Sequence, residues 1–255
     1  MLRLKKFCSL AVAACVLSLG LAQGAHAADL YVSGAASLTN AFDAIKAAFE
    51  KKNPGIKVLT NYAASNPLLK QMQEGAPVDV FATADQQTMD KAQQGKLIDP
   101  ATRKNFALND LVLIVPADSK VTVKGVESLT NKSVKRIAIG NPDSVPAGRY
   151  TRDALTTAKL WEKLQPKYIN SSSVRQALDY VARGEVDAGF VYRTDALKAG
   201  SKVKIVANVL GHDPVSYPIA VAKTGKNPTN GAKFVDFVLS PEGMAILAKF
   251  GFSKP

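Results

Sequence analysis

Residues 29–65 read DLYVSGAASLTNAFDAIKAAFEKKNPGIKVLTNYAAS, and their pattern indicates the fold class. It begins with a short β-prone run, Asp29–Val32, and continues into Leu38–Lys52, where apolar residues recur at helical spacing. The turn signal Asn53-Pro54-Gly55 ends that helix, and Ile56–Tyr62 is again β-prone. A strand, a helix and a second strand in this order form the basic unit of an α/β protein with parallel strands.

The rest of the chain continues this alternation. We predict further strands and helices, the strands at 78–82, 111–115, 136–139, 188–192, 203–207 and 219–222, and the helices at 67–74, 147–158, 174–183 and 229–239. Two lobes fit a chain of this length better than a compact barrel of eight strand–helix units. No long Gly/Ser linker separates the halves. We therefore expect an α/β fold with mixed, mostly parallel sheets in two lobes around a ligand cleft.

The composition excludes several classes of protein. Apolar residues make up 47% of the chain and charged residues 21%, which is typical of globular proteins and not of disordered, collagen-like or coiled-coil chains. Both cysteines and one of the two histidines lie within the first 27 residues. The chain after position 27 therefore offers no disulfide, no thiol nucleophile and no cysteine- or histidine-rich metal site.

The first 27 residues have the three parts of a secretory signal. Met1–Lys6 is basic, Phe7–Leu21 is almost wholly apolar, and Ala25-His26-Ala27 supplies small residues for cleavage. The apolar run is too short to favour a membrane anchor, and lipoprotein processing at Cys15 is a weaker alternative. We expect a signal peptide at 1–27 and a mature protein in the periplasm, with no membrane insertion of the mature chain.

The positive charge of the chain does not indicate a nucleic-acid partner. The formal charge is +12, and three of the basic residues precede position 28, which leaves +9. No run of Lys or Arg after that position exceeds two residues, and acidic residues alternate with the basic ones. Basic arms that bind nucleic acid or membrane surfaces show blocks of charge instead.

Small polar residues stand where predicted strands end and predicted helices begin. Ser37 and Ser65 each follow a strand, and Ala147 and Val174 open helices after short polar loops. A helix start carries unpaired N–H donors and a partial positive charge, so several starts together can bind an anion. Each serine can also be an ordinary helix cap, and Tyr192 can be a half-buried strand residue. The functional interpretation rests on their shared position at strand ends, where α/β sheets bind ligands.

Seven segments of the chain carry a resemblance to a known family. They are SGAASLTNA at 33–41, GAPVDVF at 75–81, ADQ at 84–86, VPAGRY at 145–150, GE at 184–185, GFVY at 189–192 and YPIAV at 217–221. In this order and spacing the chain resembles the periplasmic molybdate-binding proteins of bacterial ATP-binding-cassette importers. The likeness runs from the first strand to Gly251-Phe252.

The resemblance implies a periplasmic binding protein fold of type II, with a tetrahedral oxyanion between its lobes. It implies ligand contacts from Ser37 and Ser65 through hydroxyl and backbone N–H, from Ala147 and Val174 through backbone N–H, and from Tyr192 through its hydroxyl. Molybdenum or tungsten would be held as an oxyanion by these residues, with no cofactor and no catalytic residue. The implied partner is the membrane permease of the importer, and the implied receptor is a monomer.

The resemblance also leads to a division of the chain, and two positions depart from the family pattern. We assign 28–109 and 218–255 to lobe 1 and 110–217 to lobe 2, so that the ligand contacts come from both lobes and close the cleft. Asn66-Pro67 replaces a more usual small polar pair, which removes the N–H of position 67. Ser173 stands where an acidic residue often precedes the equivalent of Val174.

The sequence is compatible with two alternatives. The same donors would suit another small oxyanion such as sulfate or thiosulfate, because cavity size decides between them. A secreted hydrolase is the alternative from another class, but His212 is the one histidine after position 27. It lies in a turn-like segment, and no Gly-x-Ser-x-Gly motif accompanies it.

Overall fold

The computed structural model describes residues 28–255, and the predicted signal peptide 1–27 lies outside that range. Helices and strands alternate along most of this range, as the sequence predicts. The strands are β1 (Ala28–Ala35), β2 (Ile56–Ala63), β3 (Val80–Ala82), β4 (Lys104–Asn109), β5 (Leu111–Pro116), β6 (Ile137–Gly140), β7 (Tyr168–Ser171), β8 (Ala188–Tyr192), β9 (Val203–Asn208) and β10 (Val215–Val221). The helices are α1 (Thr39–Lys52), α2 (Ser65–Gln73), α3 (Gln86–Gln94), α4 (Pro146–Thr157), α5 (Trp161–Leu164), α6 (Val174–Ala182), α7 (Arg193–Ala199), α8 (Pro228–Leu239) and α9 (Pro241–Lys249).

The strands form two separate five-stranded sheets flanked by helices. The first sheet has the order β2-β1-β3-β10-β4, and the second has the order β7-β6-β8-β5-β9. In each sheet two neighbouring pairs are parallel and two are antiparallel. The sheets are mixed as predicted, but parallel pairs do not predominate. The reason is that β5 and β10, the first strands after each passage of the chain between the sheets, run antiparallel to both of their neighbours.

The chain passes between the sheets at two places. Asp110 alone separates β4 in the first sheet from β5 in the second, and residues 209–214 separate β9 from β10. All of β10 from Val215 onward pairs with the first sheet. The predicted second lobe boundary at residue 218 therefore falls inside β10. The chain passes between the sheets in the turn at residues 209–214 and not at the Tyr217-Pro218 pair. The assignment of residues to lobes stays a prediction, with its second boundary moved to 215.

Helical spacing correctly identified the buried face of α1. Phe42, Ile45 and Phe49 are buried, and the rings of Phe42 and Phe49 lie 6.0 and 5.2 Å from the ring of Phe234 on α8. These edge-on contacts join α1 and α8 into the layer that covers one face of the first sheet. Within residues 28–255, no helix has both the length and the apolar character needed to cross a membrane.

Candidate functional site

One small cavity between the two sheets brings all five predicted ligand residues together. It is lined from the first-sheet side and the second-sheet side, by Ala35, Ala36, Ser37, Ala64, Ser65 and Ala84, and by Val145, Pro146, Ala147, Val174 and Tyr192. About 10 Å³ of it is free for the centre of a water molecule, which is room for about one water. This space excludes a sugar or a peptide, and an oxyanion of five atoms fits only if the lining residues move apart.

Four helix starts converge on this cavity. The helices α2, α4 and α6 begin at Ser65, Pro146 and Val174, and a short 3-10 helix, Ala36–Leu38, leads into α1. No backbone carbonyl among residues 28–255 accepts a hydrogen bond from the N–H of Ala147 or Val174. These first-turn amides are left without partners by helix geometry, so they are free to bind an anion.

The two serines are not helix caps. Ala35 and Ala64 occupy the cap positions, and no side-chain cap bond forms at either helix start. Ser37 Oγ lies 3.0 Å from the hydroxyl of Tyr217, and Ser65 Oγ accepts the backbone N–H of Ala84 at 3.1 Å. Both serines are almost fully buried, so their hydroxyl groups belong to the cavity and not to solvent.

Tyr192 closes the cavity from the second sheet. It is the last residue of β8 and is 1% exposed, and its hydroxyl donates to the backbone carbonyl of Ala84 at 3.5 Å. Burial raises the pKa of the Tyr192 hydroxyl well above its usual value. The phenol therefore keeps its proton at neutral pH and remains a hydrogen-bond donor.

The charged side chains near the cavity lie outside its lining. Among residues 28–255, those that line the cavity carry no formal charge. Two residues after Ala147, Arg149 reaches from α4 to the first-sheet side, where its Nε donates to Asp85 at 2.9 Å and its Nη2 donates to Thr88 Oγ1 at 3.0 Å. Arg149 and Asp85 are both buried, so this ion pair fastens the two sides of the cleft beside the site.

A second arginine makes a similar contact on the other side. Arg175 directly follows Val174, and it donates to Asn40 Oδ1 at 2.8 Å and to the carbonyl of Ser37 at 3.3 Å. Its Nε lies 2.5 Å from the carboxylate of Asp195, which is fully buried. Burial raises the pKa of Asp195, while the positive charge of Arg175 acts in the opposite direction.

The two departures from the family pattern have structural roles. Asn66 Nδ2 donates across the cleft to the carbonyl of Asp143 at 2.9 Å, and Asn66 Oδ1 accepts from Thr88 Oγ1 at 2.9 Å. The helix α2 begins at Ser65, two residues before the predicted start, because a proline in the first turn breaks no helical bond. Ser173 caps α6 by accepting the N–H of Gln176 at 3.2 Å.

The remaining histidine has no catalytic arrangement. His212 lies in the loop before β10, with Nδ1 2.6 Å from the carbonyl of Asp213 and Nε2 3.0 Å from the carbonyl of Val209. Both ring nitrogens therefore face main-chain carbonyls and not a nucleophile. Among the described residues, no group of three or more His, Cys, Asp or Glu side chains is placed to hold a metal ion.

Comparisons with known proteins agree with this architecture. Residues 30–253 match the family of bacterial extracellular solute-binding proteins. The molybdate-binding protein ModA of Escherichia coli K12 is 39% identical over 249 residues, which cover 94% of this chain and 96% of that protein. The periplasmic molybdate-binding protein of Azotobacter vinelandii superposes with a TM-score of 0.79 at 25% identity, over 89% of this chain and 99% of that one.

A fold likeness alone does not select the anion. The sulfate-binding protein SubI of Mycobacterium tuberculosis H37Rv superposes with a TM-score of 0.77 at 17% identity, over 89% of this chain and 87% of that one. The matches confirm the two-lobed periplasmic binding protein fold and the prediction of a binding protein instead of an enzyme. The chain belongs to the bacterial extracellular solute-binding proteins.

Proposed function

We propose that this protein captures molybdate outside the cytoplasmic membrane and delivers it to the permease of an ATP-binding-cassette importer, with tungstate as a second ligand. The observation that carries the proposal is the uncharged cavity on which four helix starts converge. The relatives named as molybdate-binding proteins support the choice of anion.

The cavity offers hydrogen-bond donors to a tetrahedral anion. Ser37 and Ser65 supply hydroxyl and backbone N–H groups, Ala147 and Val174 supply backbone N–H groups, and Tyr192 supplies its phenol. Donors at helix starts act together with the helix dipole, so they stabilise a negative charge without a cation in contact with it. Molybdate and tungstate are fully deprotonated near neutral pH, and all of their oxygens accept hydrogen bonds.

The same donor set disfavours an anion that still carries a proton. Phosphate near pH 7 has at least one P–O–H group, and its hydrogen needs an acceptor inside the closed cleft. Among residues 28–255, those that line the cavity include no carboxylate and no histidine. A hydroxyl that turned to accept this hydrogen would lose its own bond to the anion, at a cost of about 1–3 kcal/mol. Sulfate passes this test, so cavity size has to exclude it.

Binding is expected to close the cleft between the lobes. Ser37 and Ser65 lie beside the first sheet, and Ala147, Val174 and Tyr192 lie beside the second, so one anion would join both sides. We further propose that the mature chain is a periplasmic monomer, released by cleavage of the signal peptide at 1–27, and that the permease recognises the closed form.

Thermal melting against a panel of anions tests the function. The panel contains molybdate, tungstate, sulfate, thiosulfate and phosphate, each measured at neutral pH. An anion at a hundredfold excess over its dissociation constant adds about 2.7 kcal/mol of stability, which raises the melting temperature clearly. We expect this shift with molybdate and tungstate and none with phosphate. A shift with sulfate or thiosulfate alone would replace molybdate as the ligand, and no shift with any anion would refute the proposal.

A further inference from the structure

A chain of hydrogen bonds leads from the passage between the sheets to Ser37. It begins at Asn109, the last residue of β4, whose side-chain oxygen accepts the backbone N–H of Asp110 at 2.9 Å. A backbone N–H can only donate, so this contact fixes which end of the Asn109 amide is oxygen. The amide nitrogen therefore faces Thr194 Oγ1 at 2.9 Å and the hydroxyl of Tyr217 at 3.2 Å.

The direction of the next bond follows from this first one. An amide nitrogen only donates, so the Tyr217 oxygen accepts from Asn109 and its own hydrogen has to go elsewhere. Ser37 Oγ, 3.0 Å away, is the acceptor that the described residues place within reach of it. Tyr217 is fully buried, and burial raises the pKa of its hydroxyl, so this hydrogen is present at neutral pH.

The bond from Tyr217 determines where the hydroxyl hydrogen of Ser37 points. Because Ser37 Oγ accepts from Tyr217, its own hydrogen points away from Tyr217, and Ser37 lines the cavity. Ser65 is held in the same sense, since its oxygen accepts the N–H of Ala84. Tyr217 itself is not among the residues that line the cavity.

We propose that Tyr217 is a positioning residue that fixes Ser37 as a hydrogen-bond donor toward a deprotonated oxyanion. This inference rests on the proposed function of the cavity. Tyr217 acts through Ser37 and not through the anion, and its direction is set by Asn109. The ring of Tyr217 packs against Phe106, Tyr192 and Phe252 at centroid distances of 6.2, 5.9 and 5.4 Å. Removing only its oxygen therefore leaves the packing of the ring in place.

A double-mutant cycle on the full mature chain tests this role. Molybdate affinity is measured by calorimetry for wild type, Tyr217→Phe, Ser37→Ala and the double variant. We expect Tyr217→Phe to weaken binding about 5- to 10-fold and Ser37→Ala about 10- to 150-fold. The double variant should match Ser37→Ala, because Tyr217 has nothing left to position. The control is Tyr168→Phe, which also loses a hydroxyl bond, the 2.9 Å contact to the carbonyl of Trp161, but lies away from the cavity.

A second variant tests the direction of the chain of bonds. Asn109→Asp has the same shape but accepts hydrogen bonds, so Tyr217 would donate to it, and Ser37 would be free to donate to Tyr217 instead of the anion. Molybdate binding should fall in this variant, and the fall should be smaller when Ser37→Ala is already present. The loss of affinity that Asn109→Asp still causes in the Ser37→Ala background measures the repulsion between the added charge and the anion.

The outcomes separate this inference from the proposed function. If wild type binds none of the panel anions, both fail. If wild type binds molybdate but Tyr217→Phe has no effect, or has the same effect with and without Ser37, the positioning role alone is refuted. Melting of each variant without anion shows whether it is folded, and equal losses in Tyr168→Phe would also refute a specific role.

Discussion

Replacing Arg149 by methionine should weaken molybdate binding strongly, although Arg149 does not line the cavity. The substitution keeps an apolar stem of similar length and removes the guanidinium group that bonds Asp85 and Thr88. Asp85 is 4% exposed, and afterwards it would retain only its cap bond from the N–H of Thr88 at 3.2 Å. Its charge would then be buried without a partner of opposite charge.

The magnitude follows from this burial. Breaking a buried ion pair by removing one partner costs about 3–5 kcal/mol. Arg149 lies on α4 and Asp85 precedes α3, on opposite sides of the cleft. Losing the ion pair therefore destabilises the closed arrangement, in which the two sides meet, relative to the open one. A neighbouring pocket of about 280 Å³, lined by both residues, gives water a route to Asp85. We therefore expect the lower end of this range, about 3 kcal/mol, which corresponds to a loss in affinity of roughly 150-fold.

Calorimetry with molybdate measures the loss, and the double variant Asp85→Asn/Arg149→Met is the matched control. Asparagine caps a helix as well as aspartate does, so α3 keeps its start. With no buried charge left, the double variant should recover much of the affinity that Arg149→Met loses. Affinity of Arg149→Met within threefold of wild type, or a double variant weaker than the single one, would contradict this role of Arg149. Closure of the cleft is tested separately: small-angle scattering of wild type should show a smaller radius of gyration with molybdate than without it.

Three further expectations concern the cavity and its support. Ser37→Ala and Ser65→Ala should each cost about 1.5–3 kcal/mol of binding free energy, more than Tyr192→Phe, and calorimetry of the three variants checks this order. Phosphate should not displace bound molybdate at pH 7, and displacement as effective as that by tungstate would reveal an acceptor in the cavity. Gly148→Ala should destabilise the fold by about 3 kcal/mol or more, because its Cβ would lie 2.0 Å from a backbone oxygen of β6. Thermal melting without anion measures this, with Gly55→Ala as the control, where a Cβ meets nothing within 4 Å.

Local patterns were enough to predict most elements of the fold. The run Leu111–Val115 is wholly apolar, and the strand β5 that contains it is buried along its whole length. The strands β4 and β7 were not predicted, because Lys104–Asn109 and Tyr168–Ser171 expose several residues and hold few β-branched residues, unlike the edge strands β2 and β9, which were predicted. An edge strand needs no continuous apolar run, so its sequence resembles that of a loop.

The donors of the cavity could also be found locally, since each stands at a strand end or a helix start. Their supporting residues could not. Tyr217 is 180 residues from Ser37 along the chain, and Arg149 is 64 residues from Asp85. Such contacts depend on how the two sheets face each other, and no spacing rule in a single sequence encodes that. The sequence held one local hint of these supporting residues: Arg149 lies two positions after Ala147, and Arg175 directly follows Val174.

The absence of formal charge from the lining of the cavity separates the kinetics of capture from those of release. Residues 28–255 carry a net charge of +9, so the chain as a whole attracts a dianion from a distance, and salt screens this attraction. Hydrogen bonds inside a closed cleft are hardly screened. Rising ionic strength should therefore slow association while it leaves the lifetime of the bound anion almost unchanged. A receptor built in this way keeps its hold on the ligand when the salt outside the cell changes, and only the time needed to find the ligand varies.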